Sequence, residues 1–196
     1  KMKFAAQPFC FGEYVLSRRG DFYLVTGCTS LVDFRELSER PESFFAGCCV
    51  LEICGLFVQR DQQTELLPLT LRALEALCNR PGQDLSVLVA YLHGALALAG
   101  YGVDPAFCQQ CGSSTAGRAR FSERRGIVCP SCGGGRLLDQ GEKSILGALC
   151  TGDPEAFYEG GFAEADLKAV LRMLCNFVYL QTDHVLKSVK QYLNLV

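Results

Sequence analysis

The sequence has no long apolar run and no recognisable export signal. No stretch reaches the roughly eighteen consecutive apolar residues that a membrane helix needs. Residues 1–8 hold two lysines and a few apolar residues. This segment is too short to be the apolar core of a secretory signal. We therefore expect a soluble, cytosolic protein with no membrane partner.

The sequence also offers few residues suited to catalysis. It contains only two histidines, His93 and His184, which are interpreted as packing or surface residues. The glycine run that ends at Arg136 lacks the Gly-Lys-Ser/Thr ending of a phosphate-binding loop, and is interpreted as a flexible loop exit. These features indicate a protein that is not an enzyme.

Basic residues are in slight deficit. The 19 lysines and arginines face 21 aspartates and glutamates, which gives a net charge of −2. Proteins that bind nucleic acid usually carry a basic excess. Any contact with DNA must therefore use local basic patches.

Cysteine, by contrast, is abundant, with twelve residues in 196. In a secreted protein this would predict a disulfide framework, but export is not indicated, and a chain that is 49% hydrophobic can bury a core without cross-links. We expect reduced thiols. Eight cysteines lie in apolar segments and are interpreted as small buried hydrophobic side chains. They are Cys10, Cys28, Cys48, Cys49, Cys54, Cys78, Cys150 and Cys175.

The other four cysteines form two Cys-x2-Cys pairs, Cys108 with Cys111 and Cys129 with Cys132, separated by seventeen residues. This is the spacing of zinc ribbons, in which a tight turn brings both sulfurs of a pair to ~2.3 Å from one ion. A glycine after each pair lets the backbone fold back towards the thiolates. Four thiolates leave no open position at the ion, so the predicted cofactor is a structural Zn²⁺.

Other uses of these pairs fit the sequence less well. Thiol exchange and iron–sulfur ligation explain two pairs at ribbon spacing poorly. A zinc deaminase places a proline before its Cys-x2-Cys pair and a glutamate in its other knuckle. Here Pro130 lies inside the pair and Gln110 stands in the glutamate's place. Any metalloenzyme would need an exchangeable position at the ion.

The segment between the two pairs is locally basic. It carries four arginines against Glu123, a net charge of +3, and is interpreted either as a contact for DNA phosphates or as a solvated hairpin. The candidate DNA-binding residues are Arg118, Arg120, Arg124 and Arg125 in this segment, with Arg18, Arg19, Lys187 and Lys190 as weaker candidates elsewhere.

Hydrophobic periodicity predicts a mainly helical chain. Alternation over residues 9–29 predicts two or three strands with a turn at residues 17–21. Helices are predicted from Pro41, at 64–78, from Asp84 as N-cap to Gly100, at 143–149, at 163–180 and around Leu186 to Leu193. The first helix is expected to be buried almost all round. The predicted buried stripes are Leu67, Leu71, Leu74 and Cys78; Leu85, Leu88, Leu92, Leu96 and Ala99; and Leu167, Val170, Leu174 and Val178.

The order of these features resembles the RecO recombination mediators. The resemblance runs from Gln7 to Leu193, nearly the whole chain. Its motifs are the Gln7-Pro8-Phe9 strand entry, Leu98-Ala99-Gly100-Tyr101-Gly102 at a helix end, the cysteines with Phe121 and Gly126-Ile127-Val128 before the second pair, and Leu186-Lys187-Ser188.

The resemblance implies a fold that is mainly α: a helical bundle with an inserted four-cysteine zinc ribbon, preceded by a partial OB-fold β segment. The expected parts are 1–36, the last strands of the OB-fold; 37–105 and 137–196, the helical domain; and 106–136, the ribbon. Further barrel strands, with basic residues among them, are expected before Lys1.

The resemblance also implies a function and partners. We expect a non-enzymatic mediator of DNA repair and homologous recombination in the RecF pathway. It would bind single- and double-stranded DNA, anneal complementary strands, and work with RecR to load RecA onto strands coated by the single-stranded-DNA-binding protein SSB. The C-terminal tail of SSB would dock in an apolar groove, and the protein would work in the bacterial cytoplasm at the nucleoid. The alternative is a zinc-ribbon interaction module of transcription or translation, without annealing activity.

Overall fold

The structure, a computed structural model, describes residues 7–58 and 65–195. The expectations for residues 1–6 and for a helix start at Thr64 lie outside these ranges. The described chain is mostly helical, as predicted. Its strands are β1 (Cys10–Arg19), β2 (Phe22–Asp33), β3 (Arg120–Ser122), β4 (Gly126–Val128) and β5 (Arg136–Leu137). Its α-helices are α1 (Pro41–Phe57), α2 (Leu66–Asn79), α3 (Asp84–Leu98), α4 (Gln140–Leu149), α5 (Pro154–Glu159), α6 (Glu164–Thr182) and α7 (Lys187–Leu195), and a 3-10 helix spans Arg35–Glu39.

The first two strands form an antiparallel hairpin. Arg19 pairs with Phe22, so the connection is only Gly20-Asp21. Gly20 has a φ of +61°, the conformation that a type II′ hairpin turn requires at its first central position. The turn is therefore shorter than the predicted 17–21, because Ser17 and the two arginines after it pair with β2.

The hairpin is anchored to the helical body at its base. Phe9 is buried, and its ring lies edge-on to Phe44 with 5.7 Å between centroids. A Cβ atom at Gly47 of α1 would lie 2.7 Å from the Phe9 ring, so only glycine leaves room there. The backbone N–H of Phe34 donates to the carbonyl oxygen of Phe9 at 3.1 Å. The predicted strand entry thus acts as an anchor between the hairpin and α1.

Helices α1 and α3 form the centre of the body. α1 packs against α2, α3 and α7, and α3 packs against α2 and α6. α3 is buried almost all round, whereas α1 buries one face and leaves Leu51 39% exposed. The prediction made for α1 therefore holds for α3 instead, because an apolar sequence does not reveal on how many sides a helix has neighbours.

The buried stripe of α2 is not the predicted one. Leu67, predicted to be buried, is 49% exposed. The helix has leucines at neighbouring positions, so two adjacent faces both show helical spacing, and packing against α1 and α3 selects between them. The residues buried in α2 are Leu66, Thr70, Ala73, Leu74 and Leu77.

The ends of α3 confirm one prediction and correct another. Asp84 is the first helical residue and not the N-cap, which is Gln83 without a side-chain capping bond. At the other end Gly100 has a φ of +84°, and the N–H of Tyr101 donates to the carbonyl oxygen of Leu96 at 2.8 Å. This is the bond pattern of a Schellman motif, so α3 ends where the glycine predicts.

The C-terminal helices contain two features that the periodicity missed. α4 begins at Gln140, before the predicted Lys143, because the Asp139 carboxylate accepts the backbone N–H of Glu142 at 2.8 Å. α5 was not predicted, although Asp153 caps its first turn. The predicted stripe of α6 is confirmed, with Leu167, Val170, Leu174 and Val178 all buried.

Burial of the eight cysteines outside the paired set is less complete than predicted. Cys49 is buried, but Cys150 is exposed at the end of α4, and the other six are half-buried. All twelve cysteines lie in the described ranges, and none is in a disulfide. Among residues 7–58 and 65–195, no helix has the length and hydrophobicity to cross a lipid bilayer.

Glu52 of α1 fastens the last helix to the body. Its carboxylate is only 19% exposed and accepts the backbone N–H groups of Lys187 at 2.9 Å and Ser188 at 2.8 Å. These amides lie in the first turn of α7, where backbone donors lack partners within the helix. A residue 135 positions earlier in the chain therefore caps α7.

We expect Glu52→Ala to lower the free energy of unfolding by about 1.5 kcal/mol, since two amides lose a charged acceptor. Urea denaturation followed by circular dichroism measures this. Glu75→Ala, an exposed residue on α2, is the matched control and should cost less than about 0.5 kcal/mol. Equal costs for the two variants would contradict the capping function.

Candidate metal centre and basic cleft

The two Cys-x2-Cys pairs lie in a small folded unit, residues 106–136, which we call the cysteine module. Its strands β3 and β4, together with β5 at its end, form a three-stranded antiparallel sheet in the order β4-β3-β5. The first pair precedes β3, and the second directly follows β4. The β3–β4 hairpin thus returns the chain from one pair to the other.

The module brings the four sulfurs together. Sγ atoms of Cys108, Cys111, Cys129 and Cys132 all lie within 4.8 Å of one another, and those of Cys111 and Cys129 are 3.8 Å apart. A tetrahedron with metal–sulfur bonds of ~2.3 Å has edges of about 3.8 Å, whereas a disulfide bond is ~2.05 Å long. The four cysteines are therefore close enough to hold one metal ion.

The backbone around each pair is shaped for this arrangement. Gly112 and Gly133, which follow the pairs, have φ values of +71° and +64°, so the predicted fold-back is present. Burial opposes ionisation of the Cys108 thiol, but backbone N–H groups of Cys129, Cys111 and Gln110 donate to its sulfur and lower its pKa to about 6. Hydrogen bonds favour the thiolate here, which is the form that binds metals.

The other thiols respond to their neighbours. Hydrogen bonds from the side chain and backbone of Ser113 lower the pKa of Cys111. Hydrogen bonding with Cys111 and then Cys129 raises the pKa of Cys132 to about 12. Since metals bind the deprotonated thiol, a bound cation would displace the protons that these sulfurs carry.

The glutamines between Cys108 and Cys111 connect the two halves of the module. Gln109 accepts the backbone N–H of Ile127 at 2.9 Å through Oε1, and its Nε2 donates to the carbonyl oxygen of Gly102. A Cβ at Gly126 would collide with the Gln109 side chain. The first pair is therefore tied both to β4 and to the segment that leaves α3.

The glycine run after the second pair is held by arginines. Gly133, Gly134 and Gly135 all have positive φ values. Arg120 donates to the carbonyl oxygen of Gly135 at 3.1 and 3.0 Å, and Arg125 donates to that of Gly133 at 2.9 Å. The expected flexible exit is therefore a hydrogen-bonded turn, and two of the candidate DNA-binding arginines help to build it.

The module is fixed to the helical body by a ring contact, by an ion pair and by a hydrogen bond of 3.0 Å from Gln181 of α6 to the carbonyl oxygen of Arg124. Phe121 of β3 packs edge-on against Phe177 of α6, with 5.7 Å between ring centroids. Arg136 of β5 makes a two-pronged ion pair with Glu142 of α4, with one contact of 2.6 Å from Nη1 to Oε2. The Glu142 carboxylate is 2% exposed and also accepts the N–H of Asp139 at 3.1 Å. The ion pair thus joins the module to the start of α4.

The candidate DNA-binding residues do not form one surface. Arg18 and Arg19 lie at the tip of the β1–β2 hairpin, where Arg18 donates to the carbonyl oxygen of Gly20. Arg118 lies in the loop before β3, and Lys187 lies in the first turn of α7. Arg124 and Arg125 lie with Arg136 and Arg172 in one cleft, whereas Lys190 lies in a separate groove.

A cleft of about 820 Å³ separates β3 and its turns from α6. Arg124 and Arg125 line it from the module, and Arg136 lines it from β5. Arg172 of α6 completes the set, with Asn176 one turn further along the helix. Periodicity missed Arg172 because its place opposite the module depends on tertiary packing.

A second groove, of about 430 Å³, lies between α6 and α7. Its walls include the exposed apolar side chains of Tyr179 and Val185. Arg172 and Lys190 provide positive charge along it. Arg172 and Asn176 border both this groove and the cleft, so the two are neighbours.

The two histidines have partners outside the cysteine cluster. His93 is buried, and its Nε2 lies 2.9 Å from the carbonyl oxygen of Val103, while burial lowers its pKa. His184 is exposed, 3.8 Å from a Glu52 oxygen. Both positions agree with the packing and surface functions predicted for them.

The chain matches the family model for "Recombination protein O C terminal" over residues 43–190. It is also similar to proteins named DNA repair protein RecO. The protein from Clostridium novyi is 30% identical over 137 residues, covering 67% of this chain and 53% of its own length. Those from Desulforudis audaxviator and Acetivibrio thermocellus are 28% and 24% identical, over 65% and 64% of this chain, and each match covers 51% of the relative. The chain thus spans about half the length of the curated relatives it matches.

Proposed function

The chain belongs to the RecO family, and on that basis we propose that it acts in bacterial DNA repair and homologous recombination as a mediator without enzymatic activity. It binds single- and double-stranded DNA, anneals complementary strands, and works with RecR to load RecA onto strands coated by SSB. The family resemblance implies these steps, which would take place in the bacterial cytoplasm, at the nucleoid. The observation that carries the proposal is the family match over residues 43–190. This range includes most of the helical body and all four paired cysteines.

The proposed ion at the cysteine module is a structural Zn²⁺. Four sulfurs within 4.8 Å of one another suit a soft or borderline metal, and tetrahedral coordination by four thiolates is typical of structural zinc. With all four positions filled by Cys108, Cys111, Cys129 and Cys132, the ion would have no site for water or substrate. Under this proposal, the module is a non-catalytic zinc ribbon that presents residues on its surface.

We also propose that the β1–β2 hairpin belongs to an OB-fold. The hairpin has register shifts at Phe11/Gly12 and Val15/Leu16, and such bulges are frequent where strands curve into barrels. Its large apolar side chains are exposed on both faces, and two strands alone make a marginal sheet, so the hairpin needs further strands and other packed elements. The exposed residues are Tyr14, Val15, Leu16, Phe22, Tyr23, Leu24, Val25, Leu31 and Val32.

The groove between α6 and α7 is the proposed site for the acidic C-terminal tail of SSB. Tyr179 and Val185 offer apolar contact, and Lys190 offers a cation for the terminal carboxylate. The argument is charge complementarity between the acidic tail and the positive side chains that border the groove. The groove is locally basic although the chain as a whole has a net charge of −2.

An annealing assay tests the function. The chain should accelerate pairing of complementary strands, both bare and SSB-coated, and should lose the effect on coated strands when SSB lacks its tail. Lys190→Ala should reproduce that loss, whereas Lys143→Ala on α4 should not. No acceleration on bare strands would favour the interaction module of transcription or translation. Equal activity with tail-deleted SSB would remove only the tail assignment.

A further inference from the structure

The cleft between the cysteine module and α6 is the more strongly cationic of the two basic surfaces. Four arginines line it, against the single acidic side chain of Glu123. Arg136 is neutralised by Glu142, which leaves Arg124, Arg125 and Arg172. Within residues 7–58 and 65–195, none of these three forms an ion pair. In a chain with a net charge of −2, the cleft carries a local excess of positive charge, with these three arginines against Glu123.

The arginines are presented from two opposed walls. Arg125 is held in place by Gln110 Oε1 and by the carbonyl oxygen of Gly133, both of which are neutral acceptors that leave its charge available. Gly134 permits this arrangement, since a Cβ there would lie 2.5 Å from Nη2 of Arg125. Arg172 lines the cleft from α6. Guanidinium groups on both sides suit a chain of phosphates better than a single anion.

The neighbouring wall positions are polar. Asn176, exposed one helical turn from Arg172, can donate hydrogen bonds to phosphate or sugar oxygens, while Ser122 of β3 is polar but only 8% exposed. The apolar residues at the base of the cleft, Phe121 and Met173, are 3% and 5% exposed and offer no pocket for a hydrophobic peptide anchor. The α6–α7 groove has such exposed apolar residues, and the cleft does not, so the cleft is better suited to a nucleic-acid backbone than to a peptide.

We propose that this cleft binds the phosphate backbone of a single DNA strand, with Arg172 of α6 and Arg124 of the module as contacts on opposite walls. The inference rests on the proposed function and adds a location to it. It assigns DNA contact to Arg172, which the sequence pattern did not indicate, and does not include Arg118, which lies outside the cleft lining. The strand would run between the cysteine module and the helical body.

The test is the salt dependence of binding to a fluorescein-labelled twenty-nucleotide thymidine strand, measured by anisotropy. Each phosphate contact on a single strand contributes about 0.7 to the slope of log affinity against log salt. Arg124→Ala with Arg172→Ala should therefore reduce the slope by about 1.4, and affinity at 0.1 M salt by roughly 25-fold. Arg35→Ala with Arg72→Ala removes the same charge from exposed positions outside the cleft and should leave the slope unchanged.

Four outcomes would overturn the proposal. Equal slope changes in the two double variants would show a general charge effect. The second is that Arg124→Ala weakens binding of an acidic peptide but leaves the salt slope for the thymidine strand unchanged. This result would assign the cleft to a protein partner. Absence of strand binding by the unaltered chain would refute both the cleft and the proposed function, whereas normal annealing with indistinguishable variants refutes the cleft alone.

Discussion

Replacing Cys132 by serine should abolish metal binding and unfold residues 106–136 while the helical body remains folded. Structural zinc sites in small modules contribute apparent free energies of about 10–16 kcal/mol at neutral pH, so the three short strands here cannot replace the ion. The strands hold only two or three residues each, and Cys108, Val128 and Cys129 form a small buried cluster separate from the main core. Ala119, Phe121 and Ile127 of the module belong to the main core, but the buried cysteines belong to the small cluster, so the segments that carry them depend on the metal.

Elemental analysis should find one zinc per chain in the unaltered protein and none in Cys132→Ser. Limited proteolysis should cut the variant within the module and spare α1 and α3, whose side chains form the main core. Cys150→Ser is the matched control, because Cys150 is an exposed cysteine that directly follows α4 and lies outside the paired set. A metal-free native protein, or a Cys132→Ser variant that keeps its zinc, would contradict the assignment.

The cysteine site was predictable from sequence because its determinants are local. Cys-x2-Cys spacing and the following glycines fix the geometry of each pair within a few residues. The seventeen residues between the pairs are the spacing of zinc ribbons, so the approach of the four sulfurs could be inferred as well. The Gly100 helix end and the α6 stripe are local in the same sense. Gln109 is different, since its bonds to Ile127 and to Gly102 exist only once the module is folded.

Features that depend on packing between distant segments were missed. Glu52 caps a helix more than a hundred residues away, and no spacing rule connects the two. In the sequence Arg172 is only a polar position within a helical stripe, because the module that faces it is encoded some forty residues earlier. In α2, adjacent leucine rows gave two equally periodic faces, and the neighbours of the helix decided which row became buried.

The module and the helical body are joined by an ion pair whose loss should be costly. Arg136→Ala should lower the free energy of unfolding by about 3 kcal/mol, because it leaves the buried Glu142 carboxylate without its cation. The value lies at the low end for buried pairs, since the Arg136 side chain is 51% exposed. Arg35→Ala breaks the ion pair between Arg35, whose side chain is 75% exposed, and Asp33, whose side chain is 35% exposed. This loss should cost at most about 1 kcal/mol.

Urea denaturation followed by circular dichroism measures both costs, and zinc analysis of the same samples separates this link from the metal site. Arg136 lies beyond the second cysteine pair, so Arg136→Ala should keep its zinc. A double variant with Glu142→Gln should recover part of the loss, because the amide oxygen still accepts the Asp139 N–H while the uncompensated charge is gone. If Arg136→Ala costs no more than Arg35→Ala, the ion pair contributes little to the attachment of the module. The Phe121–Phe177 contact and the hydrogen bond from Gln181 to the carbonyl oxygen of Arg124 would then hold the module beside the cleft.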